Sequence, residues 1–113
     1  MSKFDEKVAL YKKFMDDRDF RSNLDLLAAV TKGLGPSIYK ADAETVSGSD
    51  AKELATVKNN FLIKKLGMAD SKELDDGIKE VMDRIGKSER KKYRAVVYYM
   101  LVQKFDKESI YGM

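Results

Sequence analysis

Residues 95–102 read Ala-Val-Val-Tyr-Tyr-Met-Leu-Val, eight positions without a charge, an amide side chain or a glycine. Wound as a helix, such a segment completes more than two turns, so it is apolar on every side and has to be enclosed on every side. Laid out as a strand the same residues would also be at home, because Val96, Val97, Tyr98 and Tyr99 are β-branched or aromatic. Company decides between the two. No other segment alternates with a period of two, and a single strand has no partner for its ladder. The expectation is therefore a central helix. The run is also far shorter than the ~20 apolar residues that cross a bilayer, so no membrane contact of the spanning kind is expected.

The elements that would enclose it are legible from apolar residues returning every third or fourth position between glycine stops. In 4–18, Phe4, Val8, Tyr11 and Met15 share one helical face, widened by Leu10 and Phe14. A second helix starts at Ser22 or Asn23, either of which can accept from orphan amides, runs through Leu24, Leu27, Ala28 and Thr31, and ends at Gly33, Gly35 and Pro36. Residues 37–48 fit a short helix and a loop about as well as a strand and stay partly unassigned. Ser49 or Asp50 opens the clearest helix, with Asp50 and Glu53 spaced as a capping box, Leu54, Val57, Phe61 and Leu62 inward, and Gly67 after its end. Asp70 or Ser71 caps the next, in which Leu74, Ile78, Val81, Met82 and Ile85 repeat, Gly77 lowers propensity, and Gly86 is the stop. Ser88 begins the last helix, polar and basic before it turns apolar. The fold class expected is all-α, a small single-domain bundle of about five helices over 1–113, with the helix in 1–20 free to sit at the periphery and 106–113 as a short C-terminal tail.

Composition agrees. A chain of 113 residues fits one domain. Its 36% charged residues, against about 25% in an average globular protein, suit thin helices with a large wet surface around a 43% hydrophobic content. Cysteine and histidine are absent, which removes disulfides, thiolate nucleophiles, Cys/His zinc sites and the side chain that titrates near neutrality. Most familiar enzyme mechanisms lose a part, and neither catalytic residues, metal ligands nor a cofactor are expected. The net charge of +3 balances 22 cations against 19 anions, so the mean field is weak and predicts no nucleic-acid binding by itself. The opening Met-Ser-Lys-Phe-Asp-Glu-Lys interleaves acids and leads into no apolar stretch, so the expectation is no secretory signal and a cytoplasmic protein.

Four motifs carry chemistry on paper. Gly86-Lys87-Ser88 is like the end of a phosphate-binding loop, but Val81 stands where that motif needs its first glycine and a helix precedes it instead of a strand. The acids Asp70, Glu73, Asp75, Asp76, Glu80 and Asp83 lack the ordering of a calcium loop and alternate with Leu74, Ile78 and Val81, which makes them the wet face of a helix. Ser47-Gly48-Ser49-Asp50 lies at a helix start where amides favour anions, though the carboxylate of Asp50 can satisfy those amides itself. Lys87, Lys91 and Arg94 recur at offsets of four and seven, joined by Arg90 and Lys92 and continued by Tyr98, which is the best candidate for a phosphate-facing surface. Its plainer reading is a solvated face paired with the acids of the preceding helix. Tyr98 and Tyr99 read as core or interface, each wanting a hydrogen-bond partner.

The residues also carry a resemblance. Leu34-Gly35-Pro36-Ser37-Ile38-Tyr39, then Asp42-Ala43, then Val46-Ser47-x-Ser49-Asp50-x-x-Glu53-Leu54-x-x-Val57, then Phe61-Leu62-x-Lys64-Lys65-Leu66-Gly67 is similar to the short bacterial proteins grouped as domain of unknown function 2853. Arg94-x-x-x-Tyr98-Tyr99-x-Leu101 and Lys104 look similar too. The likeness covers most of the chain after about Leu26, with 46–67 its most specific part. It implies a small helical bacterial protein and no assigned activity, substrate or cofactor.

The functional expectation is a non-enzymatic protein-interaction or scaffold module, self-associating or with a protein partner, that presents Tyr98, Tyr99 or the stripe of Phe4, Tyr11 and Phe14. The alternative is a nucleic-acid binder using Lys87, Arg90, Lys91 and Arg94. A third reading, an acid/base enzyme, would need a pocket with two convergent carboxylates. The candidate anion- or partner-binding residues are Ser47, Ser49, Asp50, Lys87, Arg90, Lys91, Arg94 and Tyr98.

Overall fold

Helix α1 (Lys3–Asp16) starts where the Ser2 side chain accepts from the Asp5 amide at 3.1 Å, and it buries Val8, Tyr11, Phe14 and Met15. Leu10 is 39% exposed, so the inward stripe is narrower than the sequence suggested. The computed structural model describes residues 2–18, 20 and 23–112. Ser22 lies outside the described residues. The cap of α2 (Leu24–Gly33) is Asn23, whose Oδ1 accepts from the Leu26 amide at 3.2 Å. Leu24, expected inward, is 49% exposed; the helix is turned so that Leu26, Leu27, Val30 and Thr31 are buried instead.

The segment that resisted assignment resolves into three short pieces. A 3-10 turn (Gly35–Tyr39) buries Ile38, a single helical turn α3 (Ala41–Glu44) follows, and Thr45 forms an isolated antiparallel bridge with Tyr93. In that bridge the Val46 amide donates to the Lys92 carbonyl at 2.8 Å.

Helix α4 (Ala51–Thr56) continues without a break as a π-helix (Val57–Lys65), where a uniform α-helix was expected. Its buried residues Val57, Phe61, Leu62 and Leu66 recur at intervals of four, five and nine. That spacing matches i→i+5 bonding better than i→i+4, and the Leu66 amide donates to the Phe61 carbonyl at 2.9 Å. The expected capping box is half made. Asp50 accepts from the Lys52 amide at 2.9 Å, while Glu53 turns away to the Arg94 guanidinium.

Helix α5 (Lys72–Ile85) buries Leu74, Gly77, Ile78, Val81, Met82 and Ile85, the face read from the sequence. Ser71 occupies the capping position without a side-chain cap bond. Gly86, at φ +118°, ends the helix in a conformation that costs a side chain dearly. The last helix does not begin at Ser88. Residues 87–92 are turns and irregular chain, and α6 (Arg94–Lys104) starts only after the bridge at Tyr93 has pinned the backbone to Thr45. The helical stripe of Lys87, Lys91, Arg94 and Tyr98 therefore does not exist as a face.

All eight residues 95–102 are buried, with α1, α2, α3 and α5 packed around α6. The chain is all-α as expected, 71% helical, with five helices of seven residues or more and no strand among the described residues. A final 3-10 turn (Glu108–Tyr111) packs on α2. The radius of gyration is 13.0 Å. Among the described residues no helix is long and apolar enough to cross a membrane. Enclosure corrects one functional expectation: Tyr11, Phe14, Tyr98 and Tyr99 are interior groups and present nothing to a partner. The Tyr98 ring stacks on Phe61 at 3.9 Å, and the Tyr99 hydroxyl accepts from the Asn23 amide at 2.6 Å and from Gln103 at 2.9 Å.

Candidate binding groove

The short link 66–71 brings α5 against the π segment that continues α4, and residues of α4, α5 and the chain at 42–50 and 87–92 line a groove of about 1520 Å3. Ala51, Leu54 and Ala55 supply apolar surface along it, and the buried Val46, Ile78 and Met82 form its floor. The groove has two chemically different ends. At one, Lys58 reaches across to Asp70 at 2.8 Å and Asp75 at 3.2 Å. Those hydrogen bonds, Asp70 first and then Asp75, raise the Lys58 ammonium above its ordinary pKa. At the other end the turn carrying Ser47, Gly48, Ser49 and Asp50 meets Lys87, Ser88, Arg90 and Lys92.

Lys92 organises the second end. It is only 5% exposed. Its ammonium donates to the Glu89 carbonyl, and Gly48 packs closely over its stem, where a Cβ would lie 3.3 Å from the lysine Cε. Glu89 is held in turn by the Lys91 amide, at 2.9 Å from its Oε1, and by an ion pair with Arg18. The Lys91 amide first, then the charges of Arg18 and Lys92, keep the Glu89 carboxyl below the usual glutamate range.

Of the residues singled out from sequence, Ser47, Ser49, Asp50, Lys87 and Arg90 line this groove together, although some forty positions separate the two groups. Ser47 and Ser49 hydroxyls lie 3.4 Å apart, and Asp50 is spent on its cap. Lys91, Arg94 and Tyr98 do not belong to it. Arg94 is a structural clamp, donating to the Ala43 carbonyl at 2.8 Å, Glu53 at 3.1 Å and the Tyr98 hydroxyl at 3.1 Å, so α3, α4 and α6 meet on one guanidinium. The expected pairing between the basic segment and the α5 acids is also absent. Asp75 pairs with Lys58 and Glu80 with Lys104, whereas Lys87, Arg90 and Lys91 make no ion pair among the described residues. Sequence reasoning placed Lys92 in an exposed basic run, where the structure buries it. A lysine inside a basic run gives no local sign that a distant glycine will cover it. Among the described residues no group of three acidic side chains is placed to hold a metal ion.

The family model described as Protein of unknown function (DUF2853) matches residues 10–109. The chain belongs to that family. The match takes in every groove residue from Asp42 to Lys92, so the groove lies wholly within the segment that defines the DUF2853 proteins. No curated protein matches the chain.

Proposed function

We propose that this DUF2853 chain is a non-catalytic interaction module that seats a short polypeptide segment in the groove between α4 and α5. The observation that carries the reading is the groove itself: Ala51, Leu54 and Ala55 present apolar surface above a floor of the buried Val46, Ile78 and Met82, between walls that hold charges of both signs. Its volume of about 1520 Å3 exceeds the roughly 300–1,000 Å3 typical of small-molecule pockets. Apolar side chains of an amphipathic segment over such a surface, with its polar groups at the charged rim, is a recurrent mode of peptide recognition.

Nucleic-acid binding finds less support. A phosphate track needs several free cations in register, and here Arg94 is turned inward, Lys92 is buried, and Asp42, Asp50 and Asp83 share the groove with Lys87 and Arg90.

Selection from a display library of random short peptides tests the proposal, with Ala55→Arg as the control. Ala55 is exposed and lines the groove, so arginine obstructs it without entering the core. Enriched peptides should bind A55R at least about tenfold more weakly, a change worth ~1.4 kcal/mol. Sedimentation of the same two proteins identifies a second copy as occupant if only the wild type dimerises. Peptides that bind A55R equally well, or no enrichment at all, would overturn the reading.

A further inference from the structure

Among the described residues none from α1 lines the groove, yet α1 grips both of the loops that form its Lys92 end. Lys7, Tyr11 and Phe14 return at offsets of four and seven along one helical face, and Arg18, two residues past the helix, is laid over the Phe14 ring at 3.8 Å. That face meets the two loops in turn. Lys7 and Tyr11 both donate to one oxygen of Glu44, at 2.8 Å and 2.6 Å, directly before the groove-lining Thr45. Arg18 pairs with Glu89, which lines the groove on the other loop. Between the two grips the Tyr93 ring lies 4.9 Å from that of Tyr11 and 5.2 Å from that of Phe14, and Tyr93 is the residue bridged to Thr45. Among the described residues, the ion pairs that this segment makes with other elements are these two; Lys12 with Asp16 and Lys13 with Asp17 stay within α1 and its cap.

Residues 47–50 and 87–92 are turns and irregular chain, so no helix or ladder of their own fixes how far apart they stand. Segments of that kind take their position from a few contacts with their surroundings. Holding α1 on the core requires neither grip, because Val8, Tyr11, Phe14 and Met15 are buried and apolar burial is non-directional. Charge-assisted hydrogen bonds, by contrast, fix where their partners lie. We propose that α1 is a strap that sets the spacing of the two loops at the Lys92 end of the groove, with Lys7 and Arg18 as positioning residues, so that docking of α1 and occupancy of the groove are coupled. This rests on the polypeptide reading above and concerns the regulation of that same site. A segment fitted to the strapped spacing binds best while Glu44 and Glu89 are both held, and whatever loosens α1 weakens binding at a groove that α1 does not touch.

The first test needs no ligand. In amide NMR of the full chain each grip should be felt at the loop it does not touch: Arg18→Gln should shift Ser47 and Gly48, and Lys7→Met should shift Ser88 and Arg90. Lys12→Gln, which breaks a pair internal to α1, should move neither loop. Val102→Ala, a core change at the far end of α6, lowers stability without touching either grip and should also leave both loops in place. Shifts confined to the loop beside the substituted residue, or reproduced by V102A, would overturn the strap. The second test uses peptides selected by display on the wild type. R18Q and K7M should each weaken them by about fivefold or more, the lower end of ordinary coupling between sites, while V102A binds them as the wild type does. Either variant carries the comparison should the other fail to fold. Peptides held equally well by R18Q and K7M would sink the strap alone. Shifts at the untouched loops in a chain for which no peptide is enriched would sink the polypeptide reading and leave α1 as the element that spaces the loops.

Discussion

Gly77 stands in the interior of α5, where replacing glycine by alanine ordinarily stabilises a helix by about 1 kcal/mol. Here the sign reverses. A Cβ at this position would lie 2.5 Å from Cζ and 3.0 Å from Cε2 of the Phe105 ring, and forcing a methyl into a filled site costs about 1–3 kcal/mol. Gly77→Ala should therefore lower stability by about 1 kcal/mol in chemical denaturation, the difference between those two contributions. Phe105→Leu in the same chain should recover most of the loss, and a stabilised G77A single variant would refute the contact. The sequence showed Gly77 only as a weak point of a helix, because the ring that needs its space comes from beyond α6. Lys92 and Arg94 teach the same lesson. They are near neighbours in one basic run, yet one is sealed beneath Gly48 and the other binds Ala43, Glu53 and Tyr98. What separates them is supplied by residues forty to fifty positions away, and no local pattern carries that information.

At the scale of elements, the glycine stops and apolar periodicities made every long helix legible, while departures from regular helix were not. The π segment left a trace in the sequence, namely buried positions 57, 61, 62 and 66, but a spacing of four and five is easily read as an imperfect α-helix. The start of α6 left none, since residues 88–92 look helical in composition but form turns and irregular chain that ends in the bridge of Tyr93 to Thr45. The π reading has a consequence for deletion variants. Removing the exposed Asn60 would bring Val57, Phe61, Leu62 and Leu66 to offsets of three, four and eight, the face of an ordinary α-helix. That variant should still unfold cooperatively, at a cost below about 2 kcal/mol. Removing Leu54 from the regular α turn instead rotates one side of the helix against the other by about 100° and should abolish the cooperative transition. Equal damage from both deletions would mean that the segment is not relaxed by losing a residue.

For the molecule as a whole, the carboxyls and phenols with resolved shifts fall into two sets that frame a wide plateau of stability, and Lys58, raised by Asp70 and Asp75, belongs with the alkaline set. Glu80, held by Lys104, and Glu89, held first by the Lys91 amide and then by Arg18, have carboxyls below the usual range in the folded chain. Their contribution is complete above the unfolded value of about 4.3 and is lost as the pH falls through the lower folded values. Burial raises the phenols of Tyr11, Tyr93, Tyr99 and Tyr111, with Tyr11 raised further by its hydrogen bond to Glu44. Their contribution is complete below the unfolded value of about 10, and it is lost as the pH climbs from there toward the folded values. No histidine titrates between these limits. Unfolding free energy should accordingly vary little from about pH 5 to about pH 9 and fall on both sides. Glu89→Gln should lower the plateau slightly and flatten the acid limb, because its amide cannot be protonated and binds Arg18 less well. On the alkaline side, tyrosinate absorbance from the buried phenols should rise together with the loss of helical circular dichroism. Ionisation of those phenols in a chain that keeps its full helicity would show that α1, α2 and α6 do not hold them from water as the packing requires.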